Sequence, residues 1–308
     1  MSRPGRVRRL RGRRGMAGAT ETFEEHRPAL LALAYRMLGD MARAEDVVQE
    51  AWVRWQRQED VESNKAFLLT TVTRLCLDEL GSARARREES RGDRLPEPVD
   101  LDQAGIGRVE MLDQISMAFL VILQRLTPAE RAVLLLHDVF DMTHADIAAL
   151  LGKSDAACRQ LLKRAHAHVA TERRVFQTSR EEHRKLLAAF VKATTGGDQD
   201  ALLNMLAEDA VLVADAGPGV VRYGGIRNIG RPVVGRRKVA ALLGIVGKQS
   251  RGPTLEFRER TLNGGPAVVI FQGGRPVTAI LVSVADGKVR HVFLHVDAAR
   301  LGHVGPPN

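Results

Sequence analysis

Four polar residues near the middle of this 308-residue chain have side chains of the kind that proteins use to read DNA. These residues are Arg159, Gln160, Lys163 and Arg164. Arginine can form two hydrogen bonds with guanine, glutamine can do the same with adenine, and lysine can reach a base or a phosphate. On an isolated helix they would indicate an ordinary solvated face, so their meaning depends on the elements that position them.

The flanking sequence predicts three short helices, the last of which carries these four residues. Thr127 and Glu130 form a capping-box pattern at the start of the first helix. Thr143 starts the second helix, Gly152 ends it, and Ser154 caps the third. Two short capped helices joined by a tight glycine-containing turn predict a helix-turn-helix, whose second helix enters a major groove.

A second constellation lies in a helical segment nearer the N-terminus and has the opposite charge. Its acidic and amide residues fall on one side of the helix: Glu45, Asp46, Gln49 and Glu50. The rest of this segment is mostly apolar. Because an acidic face repels DNA, we expect it to bind a protein.

The next predicted helix combines an aromatic residue, hydroxyl groups and basic residues. Phe67, Thr70 and Arg74 have the chemistry for stacking on unpaired bases and for following a nucleic-acid backbone. Packing in a hydrophobic core would explain Phe67 equally well, and the residues alone leave both interpretations open.

The overall charge also favours a polyanionic partner. The formal net charge is +9 and the isoelectric point is near 10.1. Seven arginines fall within the first fourteen residues, among glycine and proline, so we expect residues 1–20 to form a disordered tail. Three interpretations of this tail are open. It is a phosphate-binding arm, a solvated segment without a partner, or a product of a start codon assigned too early, with Met16 as the true start.

Other features of the composition exclude several classes of protein. Cys76 and Cys158 fall at apolar helical positions, which predicts buried thiols, and no metal-ligand spacing occurs. No apolar run approaches the roughly 18 residues of a membrane span, and no signal peptide is evident. We therefore expect a cytoplasmic protein with no metal, no cofactor and no membrane association.

The order of helical and strand-like segments predicts a multidomain chain. Helical blocks at 21–91 and 108–175 flank a proline-containing linker at 92–107. After residue 180, helices give way to apolar runs separated by turns such as Asn263-Gly264-Gly265. We therefore predict two all-α domains followed by an α+β domain at 180–302 with a curved antiparallel sheet.

The two helical blocks resemble the extracytoplasmic-function (ECF) class of bacterial RNA polymerase sigma factors. Tyr35–Asp40 followed by Ala44–Trp52 is similar to region 2 of that family, and Leu126–Arg131 with Arg159–Ala165 is similar to region 4. The resemblance covers residues 23–169, with both motifs in the family's order and separation. It implies a region 2 helical bundle and a region 4 helix-turn-helix.

The same resemblance implies partners and roles. The acidic helix would dock on the clamp helices of the largest subunit of core RNA polymerase, and region 4 on the flap of the second-largest subunit. The segment 56–74, which contains Phe67, Thr70 and Arg74, would open the −10 element of promoter DNA. The basic helix with Arg159 would read the −35 element.

The segment after residue 180 is similar to SnoaL-like domains, a cone-shaped α+β fold that one subgroup of these sigma factors carries. Leu95-Pro96-Glu97-Pro98 matches the linker motif of that subgroup, and Asp215–Gly219 resembles a second motif. In that subgroup the domain regulates the sigma regions in cis, and its pocket could hold a small-molecule ligand. The resemblance implies a regulatory interdomain contact that contains Leu95, Pro96, Glu97, Pro98, Asp215, Gly217 and Gly219.

Two other functions are alternatives to this one. The first is enzymatic: Asp215, His291 and His295 could move a proton in a cyclase-like pocket. His291 and His295 are expected on the same face of a strand, but no spacing pairs either of them with Asp215. We therefore expect no enzymatic activity. The second alternative is a stand-alone, ligand-responsive DNA-binding regulator, which would need a dimer and a palindromic site. The acidic helix favours the sigma factor, because a repressor has no use for a polymerase-docking face.

Overall fold

The computed structural model of the protein describes residues 16–58, 61–87, 94–106, 116–170, 179–215, 231–249 and 255–306. The first helices are α1 (Met16–Leu38), α2 (Met41–Trp55), α3 (Asn64–Arg87), α4 (Met117–Arg125), α5 (Pro128–Asp138), α6 (His144–Leu151) and α7 (Asp155–Ala170). They are followed by α8 (Arg180–Gly196), α9 (Gln199–Met205), β1 (Leu206–Asp215), β2 (Val233–Val234), α10 (Arg236–Gln249), β3 (Leu255–Leu262), β4 (Gly265–Gln272), β5 (Arg275–Ala285), β6 (Lys288–His295) and a short 3-10 helix (Ala298–Arg300). The predicted class, all-α parts followed by an α+β part, is confirmed. None of the described helices is long and apolar enough to cross a membrane.

Helices α1 to α7 share one hydrophobic core, so the two all-α parts pack against each other. Leu33, Trp55 and Leu135 are almost completely buried in it. Helix α1 contacts α4 and α5, and α3 contacts α5 and α6. The buried Arg131 guanidinium of α5 donates a hydrogen bond to the Met37 carbonyl oxygen of α1. These contacts fix α5 to α7 against α1 to α3.

The α+β part is a sheet with α8, α9 and α10 on one face. Among the described residues the sheet has six strands in the order β2-β1-β6-β5-β4-β3. Strands β3 to β6 form an antiparallel meander, whereas β1 and β6 are parallel. The sheet is therefore mixed and not purely antiparallel as predicted, because the meander returns β6 beside β1 in the same direction.

The opposite face of the sheet is covered by the linker and the start of α4. Phe271 is buried there together with Leu95 and Met117. Linker residues 94–100 form neither helix nor strand, and residues 95–99 are buried. The α+β part is therefore joined to the all-α parts through a hydrophobic core that contains Leu95 of the predicted interdomain contact.

Part of the segment predicted to be disordered is helical. Helix α1 begins at Met16, within the predicted disordered segment 1–20, and residues 1–15 lie outside the described residues. The Trp55 indole nitrogen donates a hydrogen bond to the Ala19 carbonyl oxygen at 2.9 Å. This contact with α2 explains why the first turns of α1 are helical despite their small side chains.

Helix α10 was missed because its glycines suggest a loop. Gly247 lies against the backbone of Thr194 in α8, where a Cβ atom would not fit. The glycine therefore permits close approach of the two helices and does not interrupt α10.

Candidate nucleic-acid interface

The predicted helix-turn-helix is present as α6 and α7, with α5 packed against both. Thr127 and Glu130 form a complete capping box on α5, and the Thr143 side chain caps α6. Gly152 ends α6 with a φ of 61°, in the left-handed region that favours glycine. The Ser154 hydroxyl accepts a hydrogen bond from the Ala157 amide at 3.2 Å. Each predicted cap is confirmed.

Buried apolar residues set the rotation of α7. They recur on its inner face and are Cys158, Leu161, Leu162 and Ala165. The four predicted base-reading residues are consequently all exposed: Arg159, Gln160, Lys163 and Arg164. A recognition helix needs this arrangement, because its outer face must enter the groove.

Two of these four residues also form ion pairs. Arg159 Nη1 lies 2.6 Å from the carboxylate of Asp155, one turn earlier on the exposed face of α7. Arg164 Nε lies 2.9 Å from the carboxylate of Glu130, whose side chain is only 7% exposed. Burial raises the pKa of Glu130, but hydrogen bonds from Thr127 and the charge of Arg164 outweigh it and lower the pKa. Arg164 therefore fastens α7 to the start of α5, whereas the exposed Arg159 pair is weak.

The acidic face of α2 is open to solvent. Met41, Val48 and Trp55 are buried on the other side of the helix. The four residues of the acidic face are all exposed: Glu45, Asp46, Gln49 and Glu50. One of its carboxylates, that of Glu50, pairs with Arg54 at 2.9 Å. Such a surface complements a basic protein partner.

The residues of α3 with nucleic-acid-binding chemistry take part in internal contacts. The Phe67 ring is half-buried, with its centroid 5.8 Å from that of Trp55, and Thr70 is also half-buried. The Arg74 guanidinium donates to the Leu150 carbonyl oxygen at 3.3 and 3.4 Å, which joins α3 to the end of α6. In this arrangement Phe67 packs against the core, and Arg74 is exposed but hydrogen-bonded to the Leu150 carbonyl oxygen.

The linker meets α1, the start of α2, the end of β1, the β3–β4 turn and the C-terminal segment in a buried contact around Glu97. We call this contact the interdomain joint (residues 35–41, 95–99, 215, 263 and 300–303). The Glu97 carboxylate accepts a hydrogen bond from the Met41 amide at 2.7 Å and lies 3.0 Å from His303 Nδ1. The hydrogen bond with Glu97 raises the pKa of His303, against the opposing effect of burial. Glu97 thus satisfies a free amide at the start of α2, next to the acidic face.

Asn263 holds both the linker and α1 in this joint. Its side-chain amide donates to the Tyr35 hydroxyl and, at 3.3 Å, to the Glu97 carbonyl oxygen. Its side-chain oxygen accepts the Val99 amide at 3.3 Å, and its own amide donates to the Val99 carbonyl oxygen at 2.8 Å. Asn263 has a φ of 51°, a conformation that asparagine adopts more readily than most residues. The turn between β3 and β4 therefore also binds the linker and α1.

Arg300 closes the joint from the C-terminal side. Its guanidinium donates to the Leu95 carbonyl oxygen at 2.7 Å, to the Asp215 carboxylate, and to the Gly39 carbonyl oxygen at 3.4 Å. The structure thus brings Asp215 and the linker motif of residues 95–98 to one place. Gly217 and Gly219 lie outside the described residues.

Four polar residues of the joint were missed by reasoning from the sequence: Tyr35, Asn263, Arg300 and His303. Asn263 and His303 lie 166 and 206 positions from Glu97, so no local spacing connects them. The local signal at Asn263 was the hairpin turn alone, which predicts its backbone conformation and not its side-chain contacts.

The residues considered for proton transfer lie on the sheet face away from α8 to α10. Asp215 is bound to Arg300, and His291 Nδ1 lies 2.8 Å from the Ser283 hydroxyl. Burial, followed by the charge of Arg300, lowers the pKa of His295 to about 3. Buried apolar side chains such as Leu212 and Val292 fill the space beneath the helices. These three residues therefore do not meet inside the cone, although the two histidines share a strand face as expected.

Two sigma-70 family models match the all-α parts of the chain. Residues 22–86 match sigma-70 region 2, and residues 116–169 match sigma-70 region 4. The chain is also 32% identical over 288 residues to the probable ECF RNA polymerase sigma factor SigI of Mycobacterium tuberculosis H37Rv, covering 91% of this chain and 93% of SigI. The chain belongs to the ECF sigma factors.

The likeness of this sigma factor to its relatives extends through the α+β part. It is 35% identical over 282 residues to ECF RNA polymerase sigma factor SigJ of the same organism, covering 87% of this chain and 88% of SigJ. The crystal structure of Mycobacterium tuberculosis SigJ superposes with a TM-score of 0.70 at 30% identity, over 92% of this chain and 98% of that chain. These relatives are sigma factors, which does not favour the stand-alone regulator.

Proposed function

We propose that this sigma factor binds core RNA polymerase and directs it to promoter DNA with −10 and −35 elements. The exposed acidic face of α2 supports docking on the clamp helices of the largest subunit. We propose that the helices from α4 through α7 bind the flap of the second-largest subunit. The exposed face of α7 supports reading of the −35 element by Arg159, Gln160 and Lys163. Arg164 holds α7 in place through Glu130 and is exposed enough to contact a phosphate.

We assign Phe67, Thr70 and Arg74 to opening of the −10 element. In the packed arrangement Arg74 is engaged with the Leu150 carbonyl oxygen, and Phe67 packs against Trp55. We infer that release of Arg74 from the Leu150 carbonyl oxygen, and with it separation of α3 from α6, accompanies recognition of both promoter elements.

We further propose that the α+β part regulates this separation in cis. The observation that carries this proposal is the interdomain joint, in which Glu97 links α2, the linker and His303. The α+β part also packs against Met117 on the far side of the linker. Because it contacts both ends of the linker, it restrains the distance between α3 and α7.

Transcription with purified core polymerase on candidate promoter DNA tests both proposals. We expect the full chain to start transcripts, and a chain ending after residue 178 to give a different yield. Tight binding to duplex DNA without initiation would contradict the sigma-factor role. Equal yields from the two forms would contradict regulation by the α+β part and leave the sigma-factor role intact.

A further inference from the structure

The charge of this chain is distributed unevenly. Residues 16–179, which contain both sigma regions, carry 21 Lys or Arg and 26 Asp or Glu, a net charge of −5. Residues 180–308 carry 18 Lys or Arg and 11 Asp or Glu, a net charge of +7. Apart from the N-terminal arginines, the excess of positive over negative charge in this DNA-binding protein therefore lies in the α+β part.

Much of this charge falls in one stretch without acidic residues. Residues 216–255 contain eight Lys or Arg and no Asp or Glu. Within the described part of this stretch, three cations are exposed around the β2–α10 junction: Arg231, Arg237 and Lys238. We call these three residues the cationic surface. Arg237 and Lys238 lie in the first turn of α10, where the helix dipole is also positive, so the two effects add.

Neighbouring acids do not neutralise the cationic surface. Glu208 pairs with Arg236 at 2.8 Å, and Asp209 pairs with Arg290 at 2.6 Å. Lys288, at the same end of the sheet, adds another positive charge. Each of these two acids is therefore already matched by an arginine, and the charge of the cationic surface remains in excess.

The cationic surface is distinct from the interdomain joint. Strand β2 and strand β3 form opposite edges of the sheet. The joint uses Asn263, in the turn after β3, and Asp215, at the end of β1, and both are buried, whereas the three residues of the cationic surface are exposed. Helix α10 packs on α8, α9 and β1 within its own domain. The cationic surface is therefore exposed while the α+β part is docked.

We propose that the cationic surface binds the phosphate backbone of duplex DNA adjoining the promoter elements. Exposed arginine and lysine side chains bind phosphates through charge and hydrogen bonds without reading the sequence. This contact adds salt-dependent affinity to that of the sigma regions, whose own net charge is negative. The proposal goes beyond the proposed function but rests on promoter binding.

A charge-matched pair of variants tests the proposal in the full chain. The first is R231Q/R237Q/K238Q, and the control R184Q/K185Q/K192Q removes the same charge from exposed positions of α8. Each protein is assembled with core polymerase, and its affinity for a promoter duplex is measured by fluorescence anisotropy between about 50 and about 200 mM salt. We expect the slope of log affinity against log salt to become shallower in the first variant by about 0.9 for each phosphate that it no longer neutralises, and to be unchanged in the control.

Three results would count against this proposal or the earlier one, in distinguishable ways. An unchanged slope in the first variant, with normal initiation by the wild type, overturns the DNA contact alone. Loss of transcription at unchanged DNA affinity would indicate a protein partner and also overturns it. If the wild type fails to initiate, the sigma-factor role is contradicted, while the comparison of slopes still decides the DNA contact.

Discussion

Replacing Glu97 with glutamine should loosen the interdomain joint while preserving the size of the side chain. Glu97 is 5% exposed, accepts the Met41 amide at 2.7 Å and lies 3.0 Å from His303 Nδ1. Glutamine offers one carbonyl oxygen and one NH2 group. Its carbonyl oxygen can accept the Met41 amide, but its NH2 group cannot accept a hydrogen bond from protonated His303, so the charge-assisted contact between the two side chains is lost.

The expected destabilisation follows from this geometry. A hydrogen bond to a charged group contributes about 1.5–3 kcal/mol, so we expect the packed arrangement to lose about 2 kcal/mol relative to one in which the linker is released. Because about 1.4 kcal/mol corresponds to a factor of ten, the ratio of packed to released molecules should fall about 30-fold.

Hydrogen exchange followed by mass spectrometry measures this ratio. The Glu97 amide donates to the Gly39 carbonyl oxygen at 2.9 Å, and the Asp100 amide to that of His303 at 2.7 Å. These amides exchange when the linker is released, so residues 95–100 should exchange about 30-fold faster in the variant.

The control is Glu62→Gln, which changes an exposed acid between α2 and α3. It should leave the exchange rate of the linker at the wild-type value. Equal linker exchange in Glu97→Gln and the wild type would refute the assignment of the Glu97 carboxylate to the joint.

The recognition helix and the histidine of the joint provide two further tests. Replacing Arg159 and Lys163 with alanine should weaken promoter-specific binding by about 1–3 kcal/mol for each base that is no longer recognised, measured by competition with non-specific duplex; an unchanged promoter preference would contradict the assignment of α7. The raised pKa of His303 means that its contribution is present below the ordinary histidine pKa and disappears as pH rises through the raised value. The protection of the linker amides, taken as their exchange rate relative to the intrinsic rate at the same pH, should therefore fall over that range in the wild type and in the control His26→Gln but not in His303→Gln. A persistent fall in His303→Gln would assign the effect to another group.

Features that depend on neighbouring residues could be predicted from the sequence. Thr127, Thr143 and Ser154 cap helices as expected, since a cap requires only the residues of the next turn. The meander β3 to β6 follows from apolar runs separated by turns. The parallel pairing of β1 with β6 could not be predicted, because the two strands lie at opposite ends of the α+β part.

Contacts between distant segments set the limit of prediction. Glu97 belongs to a linker motif that could be assigned by resemblance, but Met41 lies 56 positions away and His303 lies 206. The sequence leaves two interpretations of Phe67 open, and the contact with Trp55 favours packing in this arrangement. Such outcomes depend on tertiary packing and not on local preference.

The core beneath the linker makes the α+β part inseparable from the chain it covers. Leu95, Met117 and Phe271 come from three segments but fill one closely packed space. A change of volume at any of them disturbs the packing of the others. We therefore expect substitutions at these positions to be energetically coupled, as they are across the two sides of an obligate interface. Transferring the domain to another sigma factor would require transferring the matching linker as well.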